Sequence, residues 1–380
     1  MPVEGEARLR VHRARATGRL TVELLVFGAL PLLVFCWWLG FALLSSGDHW
    51  AFDFRQFWQG GNDVVHGDSP YPSSTLLATS GDHLDGSGIQ RVFRFPYPAG
   101  AAVAFAPFGA ISFDAASVLW GAVLIASLFA AVWILGVRDW RVMGVVIGSA
   151  PVISAVRIGT LTPVMILLLA VAWRCRDGRW ATGGSVAAAI SLKLFLWPLV
   201  LWLVATRRWA AAVIACGLAA AATIGAWAAI GFEGFSDYPE LLRRLADVVE
   251  DRGFSLVAFG VEAGLSEGIA EMLPWLAGLS LLAIVVAVAR REDGDRRAFS
   301  VAVVAAIALT PIVWAHYFAL LVVPLALMRP RLSWAWGLMW VFWLMPAQEN
   351  RGDLWKIVLA IAVMGAVLTL SGSVRPRPIR

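Results

Sequence analysis

Residues 180–206, "WATGGSVAAAISLKLFLWPLVLWLVAT", form a largely apolar stretch of 27 residues between Arg179 on one side and Arg207 with Arg208 on the other. Arginine and lysine favour the cytoplasmic side of short loops in membrane proteins. If both ends of the stretch are cytoplasmic, the chain between them must leave the cytoplasm and return. Two full helical spans would need about 40 residues, since one needs about 20. We therefore predict two short helices that meet at a hinge near Lys193.

The composition of the whole chain agrees with a membrane protein. Its 380 residues are 59% hydrophobic and 15% charged, with a mean hydropathy of +0.74. Soluble domains are about half apolar and a quarter charged. Residues 20–46 exceed the length of a signal-peptide core and predict a retained first span. The net charge of +5 comes from short arginine clusters, so it concerns topology, and no nucleic-acid partner is expected.

The other arginine clusters extend the same reasoning along the chain. They lie at residues 8–19, 138–141, 174–179, 207–208, 290–297, 329–331 and 375–380. If all are cytoplasmic, the chain must also turn outside the membrane near "RIGTLTP" (157–163) and near "PIVWAHY" (311–317). We therefore predict an all-α polytopic protein with about 12 transmembrane helices in a single membrane domain. Short helices that meet at a hinge persist only where protein or a wet cavity covers the hinge.

This topology assigns a side of the membrane to each remaining segment. Two long loops, 47–98 and 232–272, carry more acidic than basic residues and are predicted to lie outside. Residues 99–112 are too short to span comfortably and are predicted to lie at the outer surface. The ends of the chain, a basic tail at 1–19 and a tail at 372–380, are predicted to be cytoplasmic.

On this map, several polar residues gather at the outer ends of helices. Ionisable residues at membrane depth are energetically expensive and usually functional. The polar residues gathered at these helix ends therefore predict a site on the outer face. The residues concerned are Asp53 after the first span, Arg94, Arg157 with Thr160 at one hinge, Lys193 at the second, and His316 with Tyr317 at the third.

Each of the main candidates also has a purely structural interpretation. Asp53 can be a helix N-cap in a capping box with Gln56, in a helix that Gly67 ends. The apolar face of that interfacial helix would consist of Phe54, Phe57, Trp58 and Val65. Lys193 can snorkel from a helix end, His316 can be a satisfied core histidine, and Arg157 can be a topological charge.

Metal binding and transport are two further alternatives. The first outer loop contains three histidines and several aspartates, but their spacing is not that of a metal site, and a solvated loop explains them. The residues are His49, His66 and His83 with Asp63, Asp68, Asp82 and Asp85. A transporter of lipids or small solutes would also have broken helices, although its polar residues would gather near the midplane. A large outer loop that begins with an aspartate favours a membrane enzyme.

Four segments in order resemble a known family, the bacterial polyprenyl-phosphate-dependent mannosyltransferases of glycosyltransferase family 87. The first, "DFRQFWQGGNDVVHGDSPYP" (53–72), is similar to the family's motif after the first helix. The others resemble its Tyr-Pro-Pro, Ile-Lys-Pro and Ser-Trp-x-His-Tyr segments. They are "FRFPYPAGAAVAFAPFGAIS" (93–112), "SLKLFLWPLVLWLVATRRW" (191–209) and "TPIVWAHYFALLVVPLALM" (310–328). The chain departs from the family at "GTLTP" (159–163), where the family has Gly-Gln and Asn.

The resemblance implies a GT-C fold with an active site on the outer face of the bacterial cytoplasmic membrane. The sugar, mannose or a pentose, would come from a polyprenyl-phosphate donor and go to an envelope glycolipid or polysaccharide. Asp53 matches the family's catalytic base. Fixed cations would stabilise the leaving phosphate. Our candidates for this role are Lys193, His316, Arg157 and Arg94. Further residues expected to line the site are Arg55, Tyr71, Tyr97, Thr160 and Tyr317. Segments 54–66 and 99–112 would form its floor and lipid entrance.

The resemblance and the sequence also indicate which cofactors to expect. The polyprenyl-phosphate sugar is the co-substrate, and no cofactor is firmly implied. A divalent metal could share the phosphate's charge, but the sequence shows no obvious ligand set, so we expect none.

Overall fold

The protein is helical throughout its regular structure, as predicted. A computed structural model describes residues 17–44, 50–71, 95–249, 252–345 and 353–372. In chain order the helices are α1 (Thr17–Ala42), α2 (Phe52–His66), α3 (Ala99–Gly109), α4 (Phe113–Ile134), α5 (Trp140–Ile147), α6 (Ala150–Ile158), α7 (Thr162–Arg174), α8 (Arg179–Leu192), α9 (Pro198–Ala205), α10 (Trp209–Ala229), α11 (Tyr238–Val248), α12 (Leu256–Glu262), α13 (Glu267–Ala289), α14 (Gly294–Leu309), α15 (Val322–Met328), α16 (Leu338–Val341) and α17 (Leu354–Gly372). Short 3-10 helices occupy Leu194–Leu196, Ala315–Leu321, Trp334–Gly337 and Phe342–Leu344.

Long apolar helices make the chain a multi-pass membrane protein. Among the described residues, five helices are long and apolar enough to cross a bilayer: α1, α4, α10, α13 and α17. The pair α5 and α6, bent by 62°, could form a sixth crossing. Several other apolar helices, such as α7 with 13 residues, are shorter than the roughly 20 residues of a full span. The total of about 12 crossings therefore stays a prediction.

The three predicted hinges are real breaks in the helices. Lys193 is extended, with φ −147°, between α8 and the following 3-10 helix. Gly159, with φ +76°, ends α6 just before α7. The chain is non-helical between Leu309, where α14 ends, and the 3-10 helix that starts at Ala315. Lys193 and Gly159 are buried, as irregular backbone at membrane depth requires, whereas Pro311 at the third break is exposed.

One end of the helical bundle is tied together by the arginine-rich loops. Both terminal nitrogens of Arg208 donate to the carboxylate of Asp295, each at 2.8 Å. Arg176 Nε lies 3.2 Å from the same carboxylate, and the Trp202 indole donates to it at 2.8 Å. Arg176 and Arg208, which lie in two different basic clusters, therefore both contact a carboxylate that belongs to a third cluster. Three loops that are distant in sequence meet at this point.

Two further contacts join the remaining basic loops to this end. The backbone N–H of Leu332 donates to Asp139 at 3.0 Å, which connects the loops before α5 and after α15. Arg296 donates to the carbonyl of Leu327 at 3.4 Å. The arginine clusters within the described residues therefore meet at one end of the bundle, which we call the basic end.

The two acid-rich loops meet at the opposite end, here called the acidic end. Ser69 donates to the carbonyl of Glu233 at 3.2 Å, and Tyr238 donates to the carbonyl of Pro96 at 3.3 Å. Helix α14 connects the two ends: its 16 residues span about 24 Å at 1.5 Å per residue. The separation of basic from acidic loops is the pattern that the positive-inside rule leads one to expect.

Sidedness itself is open to a direct test. With the free cysteines Cys36, Cys175 and Cys216 replaced by alanine, single cysteines at Ser266 and Asp177 report on the two ends. Both positions are exposed, Ser266 at the acidic end and Asp177 at the basic end. We expect a membrane-impermeant maleimide to label S266C in intact cells and D177C only in opened cells. The reverse pattern would place the acidic end in the cytoplasm.

The stretch after the first span folds as one helix that crosses α3 in near backbone contact. A Cβ at Gly61 would lie 2.3 Å from the carbonyl oxygen of Phe105, and one at Gly109 would lie 2.2 Å from the N atom of Asn62. Only glycine permits this approach. The tight α2–α3 packing accounts for Gly61 in "FWQGGND", and its neighbour Gly60 makes room for the Phe95 ring, 2.6 Å from where its Cβ would lie.

The predicted capping box is wrong. Helix α2 begins at Phe52, and its N-cap is Ala51, in a left-handed conformation with φ +54° and no side-chain cap. Ala51 is held there by a bond from its N–H to the carbonyl of Arg157, at 2.9 Å. Asp53 is therefore the second residue of the helix and does not cap it. The predicted end at Gly67, with φ +80°, is confirmed.

Candidate active site

A cavity of about 480 Å³ opens at the acidic end. Its walls come from the start of α2, from the segment before α3, from the hinge at Lys193, from α11 and from the break after α14. Hydrophobic and aromatic side chains make up most of the lining, as in many ligand sites. The polar lining residues are Asp53, Gln56, Tyr97, Lys193, Tyr238, Thr310, His316 and Tyr317.

Asp53 is the only carboxylate among the described residues that line the cavity. It lies in the first turn of α2, where the helix dipole favours negative charge. Its side chain reaches the cavity but is otherwise surrounded by protein. This burial raises the pKa of the carboxyl to about 6, and the positive charge of Lys193 acts in the opposite direction. A carboxyl of this kind is ionised at neutral pH and basic enough to accept a proton.

Lys193 contributes a buried positive charge to the same cavity. Its side chain is 8% exposed, and its ammonium donates to the Tyr317 hydroxyl at 3.3 Å. The nitrogen also lies over two aromatic rings, 4.5 Å from the Tyr317 centroid and 5.7 Å from that of Tyr97. The extended backbone at the hinge lets the side chain point away from both flanking helices. The sequence contains just one other lysine, Lys356.

His316 lies beside these groups on the 3-10 helix that follows the break. It is fully buried by protein, and its ring centroid lies 4.9 Å from that of Tyr317. The residue lines the cavity together with Asp53 and Lys193. The structure therefore brings five of the residues singled out from the sequence into one space: Asp53, Tyr97, Lys193, His316 and Tyr317.

Two of the other predicted residues lie away from this cavity. Arg157 stacks over the Trp38 ring of α1, 5.6 Å from its centroid, and its neighbour Ile158 lines the cavity instead. Thr160 is 1% exposed and donates to the hydroxyl of Thr162 at 3.1 Å.

The remaining predicted residues either are not among those that line the cavity or lie outside the described residues. Arg55 stacks over the Phe113 ring, at 4.4 Å. Tyr71 is buried against Trp227, and its hydroxyl donates to the carbonyl of Tyr97. Tyr71 therefore supports a lining residue without lining the cavity itself. Arg94 lies outside the described residues.

Some lining residues were not predicted from the sequence as part of the site. Gln56 lies one turn after Asp53 on the same face of α2, and its i, i+3 spacing could have revealed it. Tyr238, on α11, reaches the cavity from the second long loop. Three tryptophans, Trp197, Trp275 and Trp314, complete the walls. No local pattern distinguishes these from the many other tryptophans of a membrane protein.

Metal ligands do not gather in the part of the chain that the structure describes. No group of three or more His, Cys, Asp or Glu residues there could hold an ion. His66 is exposed and bonds to the carbonyl of Asn62 at 2.8 Å. His49, His83, Asp82 and Asp85 lie outside the described residues.

Comparison with known proteins gives one match. The model of glycosyltransferase family 87 matches residues 95–315, more than half of the chain. No curated protein and no solved structure matches. The matched part contains Tyr97 and Lys193 and ends one residue before His316, whereas Asp53 precedes it. The chain belongs to glycosyltransferase family 87 and is a membrane glycosyltransferase.

Proposed function

We propose that the protein transfers a sugar, mannose in the first instance, from a polyprenyl-phosphate donor to an envelope glycolipid or polysaccharide. The reaction would take place on the outer face of the bacterial cytoplasmic membrane. The observation that carries the proposal is the single cavity that one carboxylate, Asp53, shares with two cationic or proton-donating groups, Lys193 and His316. This is the set of groups that transfer from a phosphate leaving group requires.

Asp53 acts as the base in this mechanism. The acceptor hydroxyl attacks the anomeric carbon and passes its proton to the carboxylate. The bond from that carbon to the phosphate oxygen breaks as the new bond forms. A direct displacement of this kind inverts the anomeric centre. No step requires a metal ion.

Lys193 and His316 act on the leaving group. Negative charge grows on the phosphate as its bond to the sugar breaks, and donors fixed around it stabilise the transition state more than the ground state. The ammonium of Lys193 is already buried in the cavity, so it loses little hydration when the phosphate arrives.

The apolar edge of the cavity supports a lipid-borne donor. Three lining side chains there are also exposed at the surface: Leu194, Trp197 and Trp275, by 45%, 42% and 60%. They belong to the Lys193 hinge and to α13. We propose this edge as the entrance for the polyprenyl chain. The expected entrance at 54–66 and 99–112 is less suitable, because α2 and α3 pack tightly against each other and contribute only Gln56 to the cavity from those ranges.

The acceptor would approach from the side of α11. This helix directs Leu242 and Leu245 into the cavity. Its polar face carries Glu240, paired with Arg243 and Arg244 at 2.8 Å each. An amphipathic helix over the cavity suits an acceptor with both lipid and sugar parts. The cavity lies at one end of the bundle, and a transporter would need a passage near the midplane, so transport is not proposed.

The donor class is tested with purified protein. We expect transfer to a bacterial lipid extract from radiolabelled polyprenyl-phosphate mannose and none from GDP-mannose, because only the former offers a lipid chain and a single phosphate. The product should have inverted anomeric configuration by NMR. The same transfer assay in the presence of a chelator measures whether activity depends on a divalent metal. Transfer from the nucleotide sugar alone would contradict the proposed donor, and a retained configuration would contradict direct displacement.

A further inference from the structure

We propose that Tyr97 and Tyr317 are positioning residues whose rings hold the Lys193 ammonium in the cavity, so that its full positive charge is available to a phosphate. The two rings are called the tyrosine cradle below. This inference rests on the proposed function, in which Lys193 binds the donor phosphate. It concerns how a buried cation is kept in place without being neutralised.

The ammonium has aromatic neighbours instead of a close carboxylate. Its nitrogen lies 4.5 Å from the ring centroid of Tyr317 and 5.7 Å from that of Tyr97. Both distances fall within the range of about 6 Å in which the negative face of a ring attracts a cation. Among the described residues, no carboxylate forms an ion pair with Lys193 within 4.0 Å. Asp53 acts on it only at longer range.

This arrangement leaves hydrogen-bond capacity for a ligand. An ammonium has three N–H donors. One of them goes to the hydroxyl of Tyr317, at 3.3 Å, and the ring faces accept no conventional hydrogen bond. A close carboxylate would take donors and cancel the charge, whereas the cradle stabilises the charge and leaves two donors for phosphate oxygens. The geometry therefore suits an anion that must bind and leave in every turnover.

Both rings are themselves held firmly. The ring centroid of Tyr97 lies 4.1 Å from that of Phe57 on α2. The backbone carbonyl of Tyr97 accepts a hydrogen bond from the Tyr71 hydroxyl. The Tyr317 ring lies 5.1 Å from that of Phe195, two residues after Lys193. The cradle thus joins α2, the segment before α3 and two of the three hinges. The competing explanation is that these tyrosines only fill space between the same elements.

Two pairs of variants distinguish rings that hold the Lys193 ammonium from rings that only fill space. Tyr97→Phe and Tyr317→Phe keep the aromatic ring, whereas Tyr97→Leu and Tyr317→Leu keep an apolar side chain and lose the ring. The readout is the equilibrium Kd of polyprenyl phosphate, the expected leaving product, which does not depend on turnover. We expect the Leu variants to bind about tenfold more weakly, the size of a desolvated cation–π contact. Tyr97→Phe should stay within about threefold of wild type, whereas Tyr317→Phe also loses the hydrogen bond from the Lys193 ammonium and should bind more weakly than wild type.

A double-mutant cycle with Lys193→Met completes the test. If the rings act through the ammonium, the Leu substitutions should weaken binding no further in the Lys193→Met background. Thermal midpoints of all variants identify any loss of folding. Equal losses with and without Lys193, or a Tyr97→Phe variant as weak as Tyr97→Leu, would reduce the cradle to packing. If wild-type protein does not bind polyprenyl phosphate, the proposed donor is wrong and the cradle is rejected with it.

Discussion

Replacement of Asp53 by asparagine is expected to lower turnover by about 10²–10⁴-fold, the usual contribution of a general base. The side chains have nearly the same shape, but an amide cannot accept the proton of the acceptor hydroxyl. The structure shows that this substitution affects fewer interactions than the sequence suggested. Because Ala51 and not Asp53 is the N-cap of α2, no cap is at stake. Expression, the thermal midpoint and binding of polyprenyl phosphate should stay near wild type.

A second aspartate in the same segment supplies the matched control. Asp68 is exposed and lies just past the end of α2, outside the cavity. The same change there, Asp68→Asn, should leave the transfer rate within about threefold of wild type. If purified Asp53→Asn keeps more than about a tenth of the wild-type rate, Asp53 is not the base. Asp63, buried later in the same helix, would then be tested next.

The pH dependence offers a second measurement on the same carboxyl. Burial raises the pKa of Asp53 to about 6. A base must be deprotonated to act, so kcat/KM should be full above this pH and fall as the pH drops through about 6. In the Asp53→Asn variant this acid limb should be absent from the residual activity. An acid limb that persists with the same midpoint would assign the titration to another group.

The hinges could be predicted from the sequence because they follow from chain length. The distance between arginine clusters limits how far the chain can travel, and a break near Lys193 satisfies that limit without any knowledge of packing. The break after α14, which leads to His316, is located by the same count. Such predictions depend on covalent geometry and on the thickness of the bilayer.

The features that the sequence did not reveal depend on contacts between distant segments. The start of α2 is set by the bond from Ala51 to the carbonyl of Arg157, more than 100 residues away in the chain. The Arg157 side chain is turned toward Trp38 by the packing of α6 on α1. Tyr238 reaches the cavity only because α11 folds back toward the segment at Pro96. Local patterns carry no signal of these pairings.

Replacement of Lys193 by methionine is expected to raise the KM for the donor and lower kcat, with a combined loss in kcat/KM of about 10- to 100-fold. A hydrogen bond to a charged group contributes about 1.5–3 kcal/mol, which corresponds to this range. Methionine keeps an unbranched apolar chain of similar length, so the packing between Tyr97 and Tyr317 should survive. The KM for the acceptor should change little, since in the proposed mechanism the ammonium faces the leaving group.

The other lysine of the chain is the control. Lys356 lies on α17 near the Trp355 ring, so it has an aromatic neighbour as Lys193 does. Unlike Lys193 it pairs with a carboxylate, that of Asp353, and it lies outside the cavity. Lys356→Met should retain wild-type kcat/KM. Lys193→Met should also move the acid limb of the pH profile upward, because the lysine's charge holds the Asp53 pKa down. A Lys193→Met protein with unchanged kinetics and an unmoved limb would reduce Lys193 to a side chain that only snorkels from a helix end.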